Sequence, residues 1–134
     1  MVVGTSALLA ILLHEPGHEA FSELLADAED PLISAATLLE ASIVMHAKTG
    51  DDGVAVLDEL LAAASVRCVA VDRTQALVAR HAYVRYGKGR SSAALNYGDC
   101  FAYALARLQG RPLLFKGDDF SATDIDSASG TLKQ

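Results

Sequence analysis

The chain has 134 residues, 51% hydrophobic and 21% charged, which excludes a disordered chain and suffices for one packed domain. Its formal charge of −6 excludes general electrostatic capture of nucleic acid, though not a local basic patch beside an acidic pocket. No apolar run reaches the roughly 18 residues that cross a bilayer, and the apolar start lacks a signal peptide's basic region and cleavage site. A cytoplasmic protein without membrane contact is therefore expected. Its two cysteines, Cys68 and Cys100, are expected to be reduced and buried.

Val2–Val3 reads as a short buried strand running into a helix capped at Thr5–Ser6 and continuing from Ala7 to Leu13. Apolar residues at Ala20, Phe21, Leu24, Leu25 and Ala28 recur with a helical period over Gly17–Ala28. Asp30–Pro31 marks a turn, and Leu32–Ile33 a second short strand. Ser34 caps a helix through Lys48 that Gly50 ends, and another runs from Asp51 or Asp52 to about Ala64. VRCVAV, residues 66–71, is the clearest strand, rich in β-branched residues.

Asp72 caps the next helix, which runs to about Tyr86 and is followed by a basic, glycine-containing loop at 87–92. Gly98 or Asp99 opens a helix through Leu108 that Gly110 closes. Pro112–Phe115 is a further buried strand, Asp124–Ile125 is expected as an edge strand, and Ser127–Gln134 is expected to fray. Strands alternating with helices predict a single α/β domain, three-layer α/β/α, around a short central parallel sheet. In such sheets ligands bind beyond the carboxyl ends of the strands.

Several acids fall at or near those ends. Glu40 sits among apolar and small residues, where a charged side chain needs a partner or an exit to solvent. Asp99, taken singly, reads as a first-turn acid favoured by the helix dipole. Asp118 and Asp119, taken singly, read as turn formers. Together they place acids at one sheet edge. Close carboxylates repel unless a cation neutralises them, and Mg2+ or Mn2+ does this through hard oxygen ligands. A bound water can then attack a phosphodiester without Ser–His or Cys–His machinery.

Four segments carry a resemblance to PIN-domain ribonucleases of the VapC toxin type. VVGTSALLA resembles the family's opening strand and helix, SAATLLEAS the segment of its second acid, LNYGDCFAYALA that of the third, and PLLFKGDDFSATDI that of the fourth. They occur in order and span nearly the whole chain. The resemblance implies a Mg2+-dependent endoribonuclease, with Mn2+ as a substitute, and Glu40, Asp99 and Asp119 as catalytic metal ligands. Asp118 is the less certain neighbour of Asp119, and Thr5 and Ser6 match supporting hydroxyl positions. Gly4 stands where the family carries its first aspartate, which implies weak metal binding and impaired cleavage. Two accounts of Gly4 stay open: a family member that tolerates glycine, or a change that disables a toxin harmful to its host.

The resemblance further implies an RNA substrate of the tRNA or rRNA class, a VapB-type antitoxin and a homodimer. Arg85, Lys88, Arg90 and Lys116 are candidate RNA-binding cations, with Tyr86 and Tyr97 able to stack on unpaired bases. Singly, each cation reads better as a solvated surface charge. His14 and His18 stand four residues apart without a third ligand at matching spacing. Two other classes compete. One is a non-catalytic protein of this shape that binds RNA or antitoxin. The other is a receiver-like signalling domain with Asp72 as phospho-acceptor, which lacks an acidic pair after the first strand. A dinucleotide-binding fold is weaker, because Gly87 and Gly89 follow a helix.

Overall fold

In the computed structural model, which describes residues 1–87, 89 and 94–130, the four predicted crossover strands are short, parallel and side by side. They are β1 (Val2–Val3), β2 (Leu32–Ser34), β3 (Arg67–Val69) and β4 (Leu113–Leu114), in the order β3-β2-β1-β4. The helices are α1 (Thr5–Leu12), α2 (His18–Asp27), α3 (Ala35–Ala63), α4 (Arg73–Tyr86) and α5 (Tyr97–Gln109).

Alternation along the strands divides the core into two. Val2, Leu32 and Leu113 pack with residues of α4 and α5, including Ala79, Tyr103 and Leu105. Their neighbours Val3, Ile33 and Leu114 pack on the other face with Leu8 of α1, Phe21 of α2 and Leu57 of α3. This is the expected three-layer architecture. Among the described residues, no helix is long and apolar enough to cross a membrane.

Several boundaries differ from expectation for physical reasons. The N-cap of α1 is Gly4, which has no side chain to cap with, so the helix begins at Thr5 and not after Ser6. The break at Gly50 is present as a kink inside α3, where its φ of 67° interrupts the helical backbone. VRCVAV pairs over only three residues. As the outermost strand, β3 has one neighbour, and its Arg67 and Cys68 are exposed, so the expectation of a buried Cys68 is wrong. Cys100 is buried, and both thiols are free. Asp124–Ile125 forms no strand; instead Ser127 makes an isolated parallel bridge with Leu113. Ala128 N–H also donates to the Leu113 carbonyl at 2.9 Å, which anchors the start of the segment expected to fray.

Candidate active site at the carboxyl ends of the strands

The site is assembled where β1, β2 and β4 hand over to the segments that follow them. β1 ends at Gly4, and the next two residues reach sideways with their hydroxyls. Ser6 Oγ accepts the Lys116 N–H at 2.9 Å, which ties the start of α1 to the chain leaving β4. Thr5 Oγ1 donates to Glu40 Oε1 at 2.5 Å, which fixes the carboxylate of α3 against the start of α1. Glu40 is thus only partly exposed and has a partner, as its apolar surroundings require.

The first turn of α5 closes over the same carboxylate. A Cβ at Gly98 would lie 2.0 Å from Glu40 Oε2, so any larger residue would push the Glu40 carboxylate from this position. The helix begins earlier than its sequence suggested. Asn96 is the N-cap, its side chain accepting the Asp99 N–H at 2.9 Å, while Asp99 Oδ2 accepts the Asn96 N–H at 3.1 Å. Asp99 therefore serves as the acid of a capping box and still faces the other carboxylates.

Burial pushes the Asp99 carboxyl up to about 7; the Asn96 N–H opposes this, while the negative charges of Asp119 and Glu40 add to it. Asp119 lies close enough to share a hydrogen bond with Asp99. The backbone carbonyl of the adjacent Asp118 accepts the Ser121 N–H at 3.0 Å, and of the two acids Asp119 is the one that acts on Asp99. Of the two adjacent acids, the one preceding Phe120 is thus brought to the cluster, with the buried Phe120 ring, 5.1 Å from Phe115, anchoring it.

Position 4 is buried at the end of β1, directly before Thr5, with its N–H donating to the Leu114 carbonyl at 2.9 Å. Its φ of −94° and ψ of 163° are extended values open to any residue. A Cβ there would meet the Leu114 carbonyl oxygen at 3.2 Å, close enough to require a shift of a few tenths of an ångström. The all-oxygen donor set suits a hard divalent cation. The fit is incomplete, since among the described residues no three acidic, His or Cys side chains converge into a ready metal cage.

The cationic candidates separate. Lys116 follows β4 at the site's rim, with Nζ 3.2 Å from Glu15 Oε1. Arg85 stacks over the Tyr86 ring at 5.0 Å and, with His81, Arg107 and Asp124, lines a groove of about 530 Å³ between α4 and α5. It is not part of the acidic cluster. Lys88 and Arg90 lie outside the described residues. Tyr97 is 80% exposed beside the cluster, edge-on to Phe101 at 4.9 Å. His14 and His18 stack ring on ring at 4.7 Å. Asp72 is a helix cap, accepting the Gln75 N–H at 2.8 Å, as a signalling phospho-acceptor need not be.

Comparison with known proteins matches residues 1–126 to the PIN domain model. A Ribonuclease VapC of Mycolicibacterium smegmatis is 53% identical over 125 residues, covering 93% of this chain and 97% of that protein. The chain belongs to the PIN-domain family of VapC ribonucleases. Ribonuclease VapC30 of Mycobacterium tuberculosis is 50% identical over 93% of this PIN domain and 95% of its own length. Two solved structures share the PIN fold at low identity. One is VapC20 of M. tuberculosis, a toxin that cleaves the sarcin–ricin loop, with a TM-score of 0.76 at 20% identity, covering 92% of this chain and 95% of that one. The other is a toxin–antitoxin complex from Klebsiella pneumoniae, with a TM-score of 0.65 at 18% identity, covering 92% of both chains.

Sequence reasoning about this PIN domain missed Asn96 and Gly98. The Asn-x-x-Asp spacing of a capping box was a usable signal for the first. Nothing local announced the second, because its constraint comes from Glu40, a residue far away in sequence. Tyr103 and Asp124 were also missed; Tyr103 Oη donates to Asp124 Oδ1 at 2.5 Å.

Proposed function

We propose that this VapC-family chain is built as a Mg2+-dependent endoribonuclease toxin and is impaired by Gly4. One observation carries the reading: Thr5, next to Gly4, holds Glu40, and Glu40 and Asp119 both act on Asp99, while position 4 itself brings no carboxylate to the group. Glu40, Asp99 and Asp119 would hold the ion, with Mn2+ as an alternative. When bound, it would supply charge neutralisation for the phosphodiester and a more acidic water.

The chain's own residues do the rest. Thr5 orients Glu40, and the Asn96 N–H orients one oxygen of Asp99, leaving the other for the pocket. Ser6 holds the backbone at Lys116, so the acids of the β4 exit and the hydroxyls of the β1 exit move together. Lys116 stands at the rim as a phosphate contact that must leave Glu15, and Tyr97 offers a ring to an unpaired base. Arg85 extends the basic surface along α4, away from the cleavage centre. The RNA is of the tRNA or rRNA class. A VapB-type antitoxin would quiet the site by placing a basic side chain among the acids. Leu39 and Ile43, one turn apart on α3 and 62% and 59% exposed, provide apolar surface for a homodimer.

A second reading, binding of RNA or antitoxin without catalysis, is favoured by Gly4 itself. Gly4 supplies no carboxylate, so the chain as it stands meets a cation with one ligand and one negative charge fewer than the family pattern. Mg2+-dependent cleavage of RNA by the chain and by Gly4→Asp tests both readings. The aspartate is expected to raise the rate about a hundredfold or more, equivalent to about 2.7 kcal/mol of barrier. Equal and measurable cleavage by both proteins would reject the impairment by Gly4, and two inactive proteins would favour the non-catalytic reading.

A further inference from the structure

Asp119 sits on a segment without helix or strand, yet it faces a carboxylate that repels it. From residue 116 to 126 the chain forms only turns and irregular backbone, and Gly117 has a φ of 91°. Such a segment would relax away from Asp99 unless tied down on both sides of Asp119. Before Asp119, the tie is the Lys116 N–H on Ser6; directly after it, the Phe120 ring is buried. Farther on, beyond Phe120, the polar tie is Asp124.

Both oxygens of Asp124 are taken by α5. Tyr103 Oη donates to Oδ1 at 2.5 Å, and Arg107 Nη1 lies 3.1 Å from Oδ2. Asp99, Tyr103 and Arg107 stand four residues apart, so they form a row along one side of α5, with steps of about 6 Å. The row thus meets the β4 exit segment twice, acid to acid at Asp99 and clamp to acid at Asp124. The links between these points are stiff. Ser121 N–H donates to the Asp118 carbonyl at 3.0 Å, Thr123 N–H and Oγ1 both donate to the Phe120 carbonyl, and Ile125 N–H donates to Thr123 Oγ1 at 3.3 Å. A displacement of Asp124 is therefore passed back to Asp119.

We infer that Tyr103, Arg107 and Asp124 form a latch that positions Asp119 against Asp99, a role that rests on the metal-site reading above. They are positioning residues, since none reaches the acidic cluster itself. Tyr103 is buried and Arg107 exposed, so the latch combines a packed hydroxyl donor with a solvent-facing charge. Asp124 is held below the ordinary carboxylate range by Tyr103 first and Arg107 second, consistent with a carboxylate gripped while ionised.

The test uses the full chain carrying Gly4→Asp, with Tyr103→Phe or Asp124→Asn added. Mn2+ affinity is read by calorimetry, and paramagnetic broadening of the backbone amides of Asp119 and Asp99 by NMR. Either added change is expected to weaken Mn2+ about tenfold, the scale typical of outer-shell partners. It should also relieve broadening at Asp119 while keeping it at Asp99. A general loss of stability would affect both amides alike. Unchanged affinity with Asp119 still broadened would overturn the latch. Arg107→Lys, a surface change, gives the same comparison if the buried substitutions disturb folding. If the Gly4→Asp parent binds no Mn2+, the metal reading fails, and the latch with it; that outcome is distinct from a parent that binds and variants that bind equally well.

Discussion

The two ends of the sheet use aspartate in opposite ways. At the amino ends of the strands, Asp30 accepts Arg67 Nε at 3.1 Å and Nη2 at 2.9 Å, and Arg111 Nη2 at 3.1 Å. Those two guanidinium groups hold its carboxyl down to about 2. At the carboxyl ends, burial and neighbouring acids push Asp99 up to about 7. The first end is a solvent-exposed clamp joining the turn before β2 to β3 and to the segment before β4. The second tolerates unfavourable electrostatics, which a purely structural design would remove. Strain of that kind is expected where a cation or substrate is to be met.

The comparison can be broken most severely at Phe120. Phe120→Ala removes the buried ring that seats the acidic segment and should cost about 3–5 kcal/mol in denaturant unfolding. A loss well below that would mean the segment is held by its polar ties alone. Asp99→Asn should act in the opposite direction and raise the melting temperature, since it removes like-charge repulsion while keeping an acceptor for the Asn96 N–H. The sign follows from a folded pKa above the unfolded one: ionisation penalises the fold as pH rises from about 4 to about 7. The gain should thus be absent below about pH 4, larger at pH 8 than at pH 5, and recorded by thermal melts across that range.

Asp30→Asn is expected to have a smaller effect, lowering the melting temperature by a few degrees at neutral pH, because exposed ion pairs are screened by solvent. Its folded pKa lies below the unfolded one, so the wild-type advantage exists above about pH 4 and disappears as pH falls through about 2. A difference that persisted in strong acid would assign the clamp to something other than charge. The smallest effect is expected for Lys116→Ala. If Lys116 meets phosphate, RNA affinity should fall and its logarithmic salt slope should shrink by about one. Affinity unchanged at every salt concentration would remove Lys116 from the RNA surface.

Much of this contrast was present in the residue pattern. The apolar pairs Val2–Val3 and Leu113–Leu114, the β2 residues and the caps Ser34 and Asp72 each carry a local signal, and their strands and helices form where that signal falls. The strand with the strongest β-branched content misled about burial, because that content reports fit to a pleated ladder and says little about which strand lies outermost. Glu40 stood out by its apolar surroundings, whereas Asp99 taken singly read as a first-turn acid and became a candidate only with the other acids and the resemblance. The nearness of Asp119 to Asp99 needed the turn after β4, and the closeness of Gly98 to Glu40 needed the packing of α5 on α3. The Asp30 clamp went unread because Arg67 and Arg111 reach it only once three segments lie side by side.

On the proposed function, position 4 decides whether the carboxyl end of the sheet holds a metal ion. Calorimetric titration of Mn2+ into the chain and into its Gly4→Asp variant tests it most directly. Binding is expected to be at least about tenfold tighter in the variant, about 1.4 kcal/mol, from one added carboxylate ligand. Equal affinity in the two proteins would contradict it.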